Sequence, residues 1–351
     1  MRSVHALLLA LALGAAPMAA LPRAAHAAAA GPPAPCTPAG KLQFICGLNA
    51  VEDMVAPPDG KWIFGSSMQA GSAGLYLIDP RTKTAKPATI ALSANAAANK
   101  PYAGCAAPDL KALTTHGLEL RPGRSGHHTL YAINHAGRES IEVFDVDMTG
   151  PEPKLAWIGC MLAPEGVSAN SMAALPDGRL AVSKYQPLGD ATAIARMLNG
   201  EVTGSVYIWK AGSGFSELPG VRLSGDNGLV VSPDGKWIYI AVWGGKAVTR
   251  VALDGSAPTK TTPLEFRPDN LRWSADRKSI LATGQYLETA NRAGPHGWGV
   301  VSLDPQTLAA TPLLHQPGVP GFDDATTALQ VGKDTWFGTF RGDRIAYMTA
   351  E

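Results

Sequence analysis

Six short polar segments hold the residues of this chain whose types suit chemistry: Glu52-Asp53, His116, Asn170, Asp226-Asn227, Asp269-Asn270, and the stretch from Asp323-Asp324 to Thr326. Each stands just before an apolar run that leads into a turn. Carboxylates and amide carbonyls are hard oxygen donors, and calcium gathers about six to eight such oxygens at flexible geometry. If Glu52 and Asp269 both bind, their charges neutralise a divalent cation, while Asn170, Asn227 and Asn270 add dipoles without repulsion. Zinc fits less well, because no Cys or His cluster has ligand spacing. Asp and Asn before a strand also make turns through their own side chains. That reading is open for any one of them; their recurrence at one repeat position favours a shared site. His116 opens the second of these segments, and His135 follows the apolar run Thr129–Asn134. A neutral imidazole beside a cation can take a proton from water while a second orients it or relays the proton outward; a structural role is the alternative for each.

Other chemistries lack their motifs. There is no G-x-S-x-G elbow for a serine hydrolase, no G-x-x-x-x-G-K phosphate loop and no H-E-x-x-H pair. The 351 residues carry 30 basic and 29 acidic side chains, a net charge of +1, which gives no footprint for nucleic acid or an anionic surface. With 46% apolar and only 17% charged residues, the composition suits a packed core rather than disorder.

The elements that must position these residues come from a repeat. Met54–Phe64 passes through Pro57-Pro58-Asp59-Gly60, and Leu229–Ile240 through Ser232-Pro233-Asp234-Gly235. Weaker copies run from Leu118 to Tyr131, Met172 to Val182, Leu271 to Leu281, and Ala328 to Phe337. Each reads as a strand, a tight turn in which Pro sets φ and Gly supplies positive φ, and a returning strand. Third strands follow at Ala73–Asp79, Ser140–Asp145, Gly204–Trp209 and Ala247–Ala252. Six copies roughly 40 to 65 residues apart predict an all-β, six-bladed β-propeller. A two-sheet sandwich explains strands but not the regular copies. Only Ala191–Asn199 reads as helical, as an insertion. In a propeller the loops entering the innermost strands meet at one end of the channel, where the six polar segments then converge.

Arg2, the apolar run Leu7–Leu13 and Ala25-His26-Ala27 form the pattern of a secretory signal over 1–27, too short for a span of roughly 20 residues. A periplasmic or secreted protein is expected, with an N-terminal extension over 28–44, a single propeller over 45–351, and no membrane span in the mature chain. Cys36, Cys46, Cys105 and Cys160 contain no C-x-x-C pair. In an oxidising compartment an even count suggests disulfides. Three connectivities are open, with Cys36–Cys46 and Cys105–Cys160 favoured, and buried thiols are the alternative. The loops Met68–Gly74, Tyr185–Thr203 and Tyr286–Trp298 are the expected specificity loops.

Taken together, Val51-Glu52-Asp53, Thr115-His116-Gly117-Leu118, Asn134-His135, Ala169-Asn170, Asp226-Asn227-Gly228 and Pro268-Asp269-Asn270 resemble the paraoxonase/arylesterase family. That family lies within the wider superfamily of gluconolactonase and strictosidine-synthase-like propellers. The resemblance spans residues 45 to 345 and keeps the family's order. It implies a catalytic calcium held by Glu52, Asn170, Asn227, Asp269 and Asn270, a His116–His135 proton-relay pair, and hydrolysis of small-molecule lactones or aryl esters. It also implies a second, structural calcium at Asp53, against which Ser171 stands where the family has an aspartate. Gln285 or a neighbour replaces a histidine of the family's site. No cysteine follows Cys160, so blade closure must rest on strand pairing or on rearranged disulfides. A sugar-acid lactonase and a non-catalytic, calcium-stabilised binding propeller are the alternatives.

Overall fold

The computed structural model describes residues 34–69, 74–94, 96, 101–102, 104–288 and 295–350. The expected signal segment lies outside them. The strands form six sheets, antiparallel except at one outer edge, and the innermost strands contact one another in a closed ring. This is a six-bladed β-propeller. Each repeat copy forms the two inner strands of one blade. The innermost strands are Met54–Val55, Thr115–Pro122, Val167–Ala174, Asp226–Val231, Arg267–Trp273 and Ala325–Val331. Gly235, in the turn of the clearest copy, has φ +70°, as a tight return after Pro-Asp requires.

A blade cannot bury both of its faces alone, and the apolar clusters show how the ring does so. Leu229 and Val231 pack against blade 3 through Leu175, Val206 and Ile208. Val230, between them, turns the other way onto Leu271, Ile280 and Ala282 of blade 5. Alternate residues of one strand therefore face opposite neighbours, which is why the inner strands read as continuous apolar runs. Comparable clusters fill the other blade junctions.

Closure rests on strand pairing. Blade 6 takes its outermost strand from Gln43–Cys46, which pairs antiparallel with Arg344–Thr349. The segment before the expected propeller boundary thus contributes to the last blade. A Cys36–Cys46 disulfide ties down the chain ahead of that strand, and Cys105–Cys160 joins a connecting loop to the edge of blade 2. Fully buried Arg344 donates to the carbonyls of Pro35 at 2.8 Å and Ala34 at 2.7 Å, fixing the same segment. One short strand was not foreseen: Ile90–Leu92 pairs in parallel with Lys154–Leu162 as a fifth strand of blade 2. The insertion in blade 3 is the helix Ala193–Leu198. Among the described residues no helix is long and apolar enough to cross a membrane.

Candidate functional site

Strand alternation should send neighbouring residues to opposite faces, yet Asp269 and Asn270 are consecutive. The pairing of the inner strands resolves this. The register shifts between Thr115 and Leu118, Ala169 and Met172, Asp226 and Leu229, Pro268 and Leu271, and Ala325 and Thr327. A bulge at the same end of five inner strands twists the backbone there and turns successive side chains toward the axis. Glycine then lets the strands close up. A Cβ on Gly117 would lie 2.3 Å from the Asn170 carbonyl oxygen, and one on Gly228 would lie 2.5 Å from the Cα of Asn270.

All seven residues expected to form the site come together. A cavity of about 380 Å³ is lined by Glu52, His116, His135, Asn170, Asn227 and Asp269. Asn270 lies beside it and donates through Nδ2 to Glu52 Oε1 at 2.5 Å. Glu52, Asn170, Asn227 and Asn270 are at most 3% exposed, yet Glu52 Oε2 and the Oδ1 atoms of the three asparagines have no hydrogen-bond partner. Leaving one buried acceptor unsatisfied costs about 1–3 kcal/mol. Four on one ring are explained by a cation that they would share. Burial, together with Asp53 and Asp269, pushes the Glu52 carboxyl well above the ordinary carboxylate range. The ring is thus short of positive charge, and its oxygen donors fit calcium better than a softer metal.

Asp269 Oδ2 accepts from Gln285 Nε2 at 2.6 Å, and Gln285 Oε1 accepts from Trp243 Nε1 at 3.0 Å. Gln285 therefore holds a carboxylate of the ring in place. Asp226, next to Asn227, is fully buried with neither oxygen hydrogen-bonded, and burial pushes it up to about 8.

The histidines form a line leading out of the ring. His116 Nε2 lies 3.3 Å from Asn170 Nδ2 and 3.7 Å from Glu52 Oε2. His116 Nδ1 lies 3.0 Å from His135 Nε2, and His135 Nδ1 lies 2.8 Å from Glu139 Oε1. Burial, then the neighbouring His135, holds His116 well below the ordinary imidazole range, so it is neutral at pH 7. Across the cavity Met68, Tyr185, Ile194, Trp243 and Phe340 supply an apolar wall. Ile194 comes from the inserted helix, which packs on Trp243. Two of the expected specificity loops thus contribute, one through Met68 and the other through Tyr185, Gln186 and Ile194, whereas the described residues of Tyr286–Trp298 do not line the cavity; residues 70–73 and 289–294 lie outside the described part of the chain.

A second ion does not fit at Asp53. Arg272 forms an ion pair with Asp53 Oδ2 and donates to the carbonyl oxygens of Met54 at 3.1 Å, Leu271 at 3.0 Å and Leu118 at 3.1 Å. Asp53 also accepts the backbone N–H groups of Met54 and Leu118, each at 2.8 Å. The Arg272 guanidinium already neutralises the carboxylate expected to hold that ion. A third cluster, His296, Asp323 and Asp324, likewise has Arg341 ion-paired to both of its carboxylates. These acidic residues of blade 6 therefore stay with Arg341 rather than joining the oxygen ring.

No protein-family model and no curated protein matches the chain. Among solved structures it is similar to a luciferin-regenerating enzyme, at 12% identity and a TM-score of 0.57 over 88% of this chain and 95% of that one. It is also similar to a calcium-binding protein, regucalcin, from Agrobacterium tumefaciens strain C58, at 13% identity and a TM-score of 0.50 over 86% and 90% of the two chains. At these identities the likeness establishes the shared six-bladed propeller fold.

Proposed function

We propose that this chain is an exported, calcium-dependent hydrolase of small-molecule lactones or aryl esters. The observation that carries the reading is the set of four buried, unpartnered oxygens on Glu52, Asn170, Asn227 and Asn270, with a neutral histidine beside them. Glu52, Asn170, Asn227, Asp269 and Asn270 would hold the ion. Calcium bound there supplies Lewis-acid polarisation of a substrate carbonyl. The regucalcin neighbour is described as a calcium-binding protein, which supports the choice of ion.

The remaining chemistry belongs to the chain's own side chains. An attacking water displaces the 3.3 Å contact with Asn170 Nδ2 and gives its proton to His116 Nε2, while His116 Nδ1 passes a proton to His135 Nε2 across 3.0 Å. The apolar wall excludes bulk water and receives the hydrophobic part of the substrate. The cavity volume suits a small molecule. Two disulfides fit an oxidising compartment outside the cytoplasm.

The test is a panel of aliphatic lactones, aldonolactones and aryl esters assayed with and without a calcium chelator. Chelator-sensitive turnover of lactones or aryl esters supports the reading. Preference for aldonolactones would move the chain to the sugar-acid lactonase alternative. Calcium binding with no turnover on any substrate would leave a calcium-stabilised binding propeller.

A further inference from the structure

The line of hydrogen bonds from Glu139 to Asn170 has a direction, and its direction decides which atom of Asn170 faces the cation site. A carboxylate only accepts, so His135 Nδ1, 2.8 and 3.0 Å from the Glu139 oxygens, must carry the proton. With His135 carrying that one proton, its lone pair lies on Nε2, and His116 Nδ1 then donates to it across 3.0 Å. That leaves the His116 lone pair on Nε2, which accepts from Asn170 Nδ2 at 3.3 Å. With its NH2 group so engaged, Asn170 turns Oδ1, which has no other partner, toward the ring.

Without Glu139 the chain can run the other way. Both imidazoles take the opposite tautomer, His116 Nε2 becomes a donor, and the Asn170 amide flips to accept from it. Every internal hydrogen bond survives that reversal, but an NH2 group then faces the cation. We propose that Glu139 is a positioning residue that fixes the direction of this chain and so keeps the Asn170 carbonyl oxygen on the cation site. The proposal rests on the cation reading above.

The hairpin is built to hold Glu139 there. Asn134 Nδ2 donates to the carbonyls of Ala136 at 3.0 Å and Arg138 at 3.4 Å, and its Oδ1 accepts from Ala136 N at 3.1 Å. Gly137 takes φ +72° within the same turn, which curls Glu139 back over His135. The adjacent Arg138 faces away, paired with Glu142 at 2.8 Å.

The experiment uses the full chain and two readouts that need no turnover. Long-range 1H–15N spectra of the metal-free protein give the tautomers of His116 and His135, and calorimetric titration with calcium chloride gives the affinity. Both histidines should be protonated on Nδ1 in the wild type. Glu139→Ala should give mixed or inverted tautomers and weaken calcium binding by about tenfold, the lower end for removing a group that orients a metal ligand. Glu139→Gln, whose amide can either accept from His135 or donate to it, keeps the contact without the direction, so it should also give mixed tautomers, with a smaller loss of affinity. A wild type with His135 protonated on Nε2, or a folded Glu139→Ala with unchanged tautomers and affinity, overturns the proposal. A wild type that binds no calcium overturns the cation reading instead, and the spectra report the chain's direction in either case.

Discussion

Arg272→Met is the sharpest perturbation of the propeller's axis away from the oxygen ring. The guanidinium pairs with a carboxylate that is 0% exposed and donates to the carbonyls of Met54, Leu271 and Leu118. Methionine fills similar space but leaves Asp53 only the N–H groups of Met54 and Leu118. Removing one partner of a buried ion pair costs about 3–5 kcal/mol. At roughly 2 °C per kcal/mol for a domain of this size, the melting temperature should fall by about 6–10 °C. Burial already pushes the Asp53 carboxyl up while Arg272 pulls it back, so the variant raises it further. A raised folded-state pKa stabilises below the unfolded value and is lost as pH rises through the folded one. Arg272→Met should therefore lose less stability at pH 5 than at pH 8. Asp53→Asn combined with Arg272→Met should recover most of the loss. Excess calcium should partly restore the single variant, whose freed carbonyls and carboxylate offer oxygen ligands, but not the double variant. Thermal melts of the three proteins decide this. A loss below about 1 kcal/mol, or an equal loss in the double variant, would refute the view that Arg272 replaces a structural cation.

Three further outcomes are expected. Gly228→Ala places a Cβ 2.5 Å from the Asp269 carbonyl oxygen and should spread the ring, weakening calcium affinity in calorimetry about tenfold or more while the fold persists by circular dichroism. Glu119 is raised from 4.5 to about 7 by burial, so its contribution to stability is present below pH 4.5 and lost as pH rises through 7. The loss is at most about 3 kcal/mol and less in practice, because Glu119 lines the cavity at the opposite channel mouth, where solvent screens it. Urea melts of Glu119→Gln should lack this decline. Gln285→Leu removes the donor that holds Asp269 and should raise the calcium concentration for half-maximal turnover about tenfold, with maximal turnover changed less.

The propeller was legible because its repeat is local. A Pro-Asp-Gly turn between apolar runs, as at Pro58-Asp59-Gly60, Pro176-Asp177-Gly178 and Pro233-Asp234-Gly235, defines a hairpin without knowledge of distant contacts, and with three weaker copies it leaves few architectures. The ring of ligands was legible for a related reason: each ligand sits at the entry end of its innermost strand, Glu52 just before it and the others within its first four residues, and closure of the fold brings those positions together. What the sequence leaves hidden depends on three-dimensional detail. The bulge that lets Asp269 and Asn270 act together has no local signal beyond the glycines near such positions. Arg272, set between Leu271 and Trp273, reads as an outward charge, and only the ring's closure places it on Asp53. Glu139 stands four residues after His135, but its bearing on Asn170 passes through His116 from another strand. In the sequence Gln285 stands out only as a departure from a family pattern, whereas in the structure it supports Asp269.

The most direct measurement is a calcium titration of chelator-stripped protein that follows heat and hydrolysis of one lactone or aryl ester together. One calcium per chain should bind, hydrolysis should return with the same half-point, and Asp269→Ala should lose both. Turnover that persists in the stripped protein, or binding that Asp269→Ala leaves intact, would contradict the assignment of the oxygen ring as the catalytic cation site.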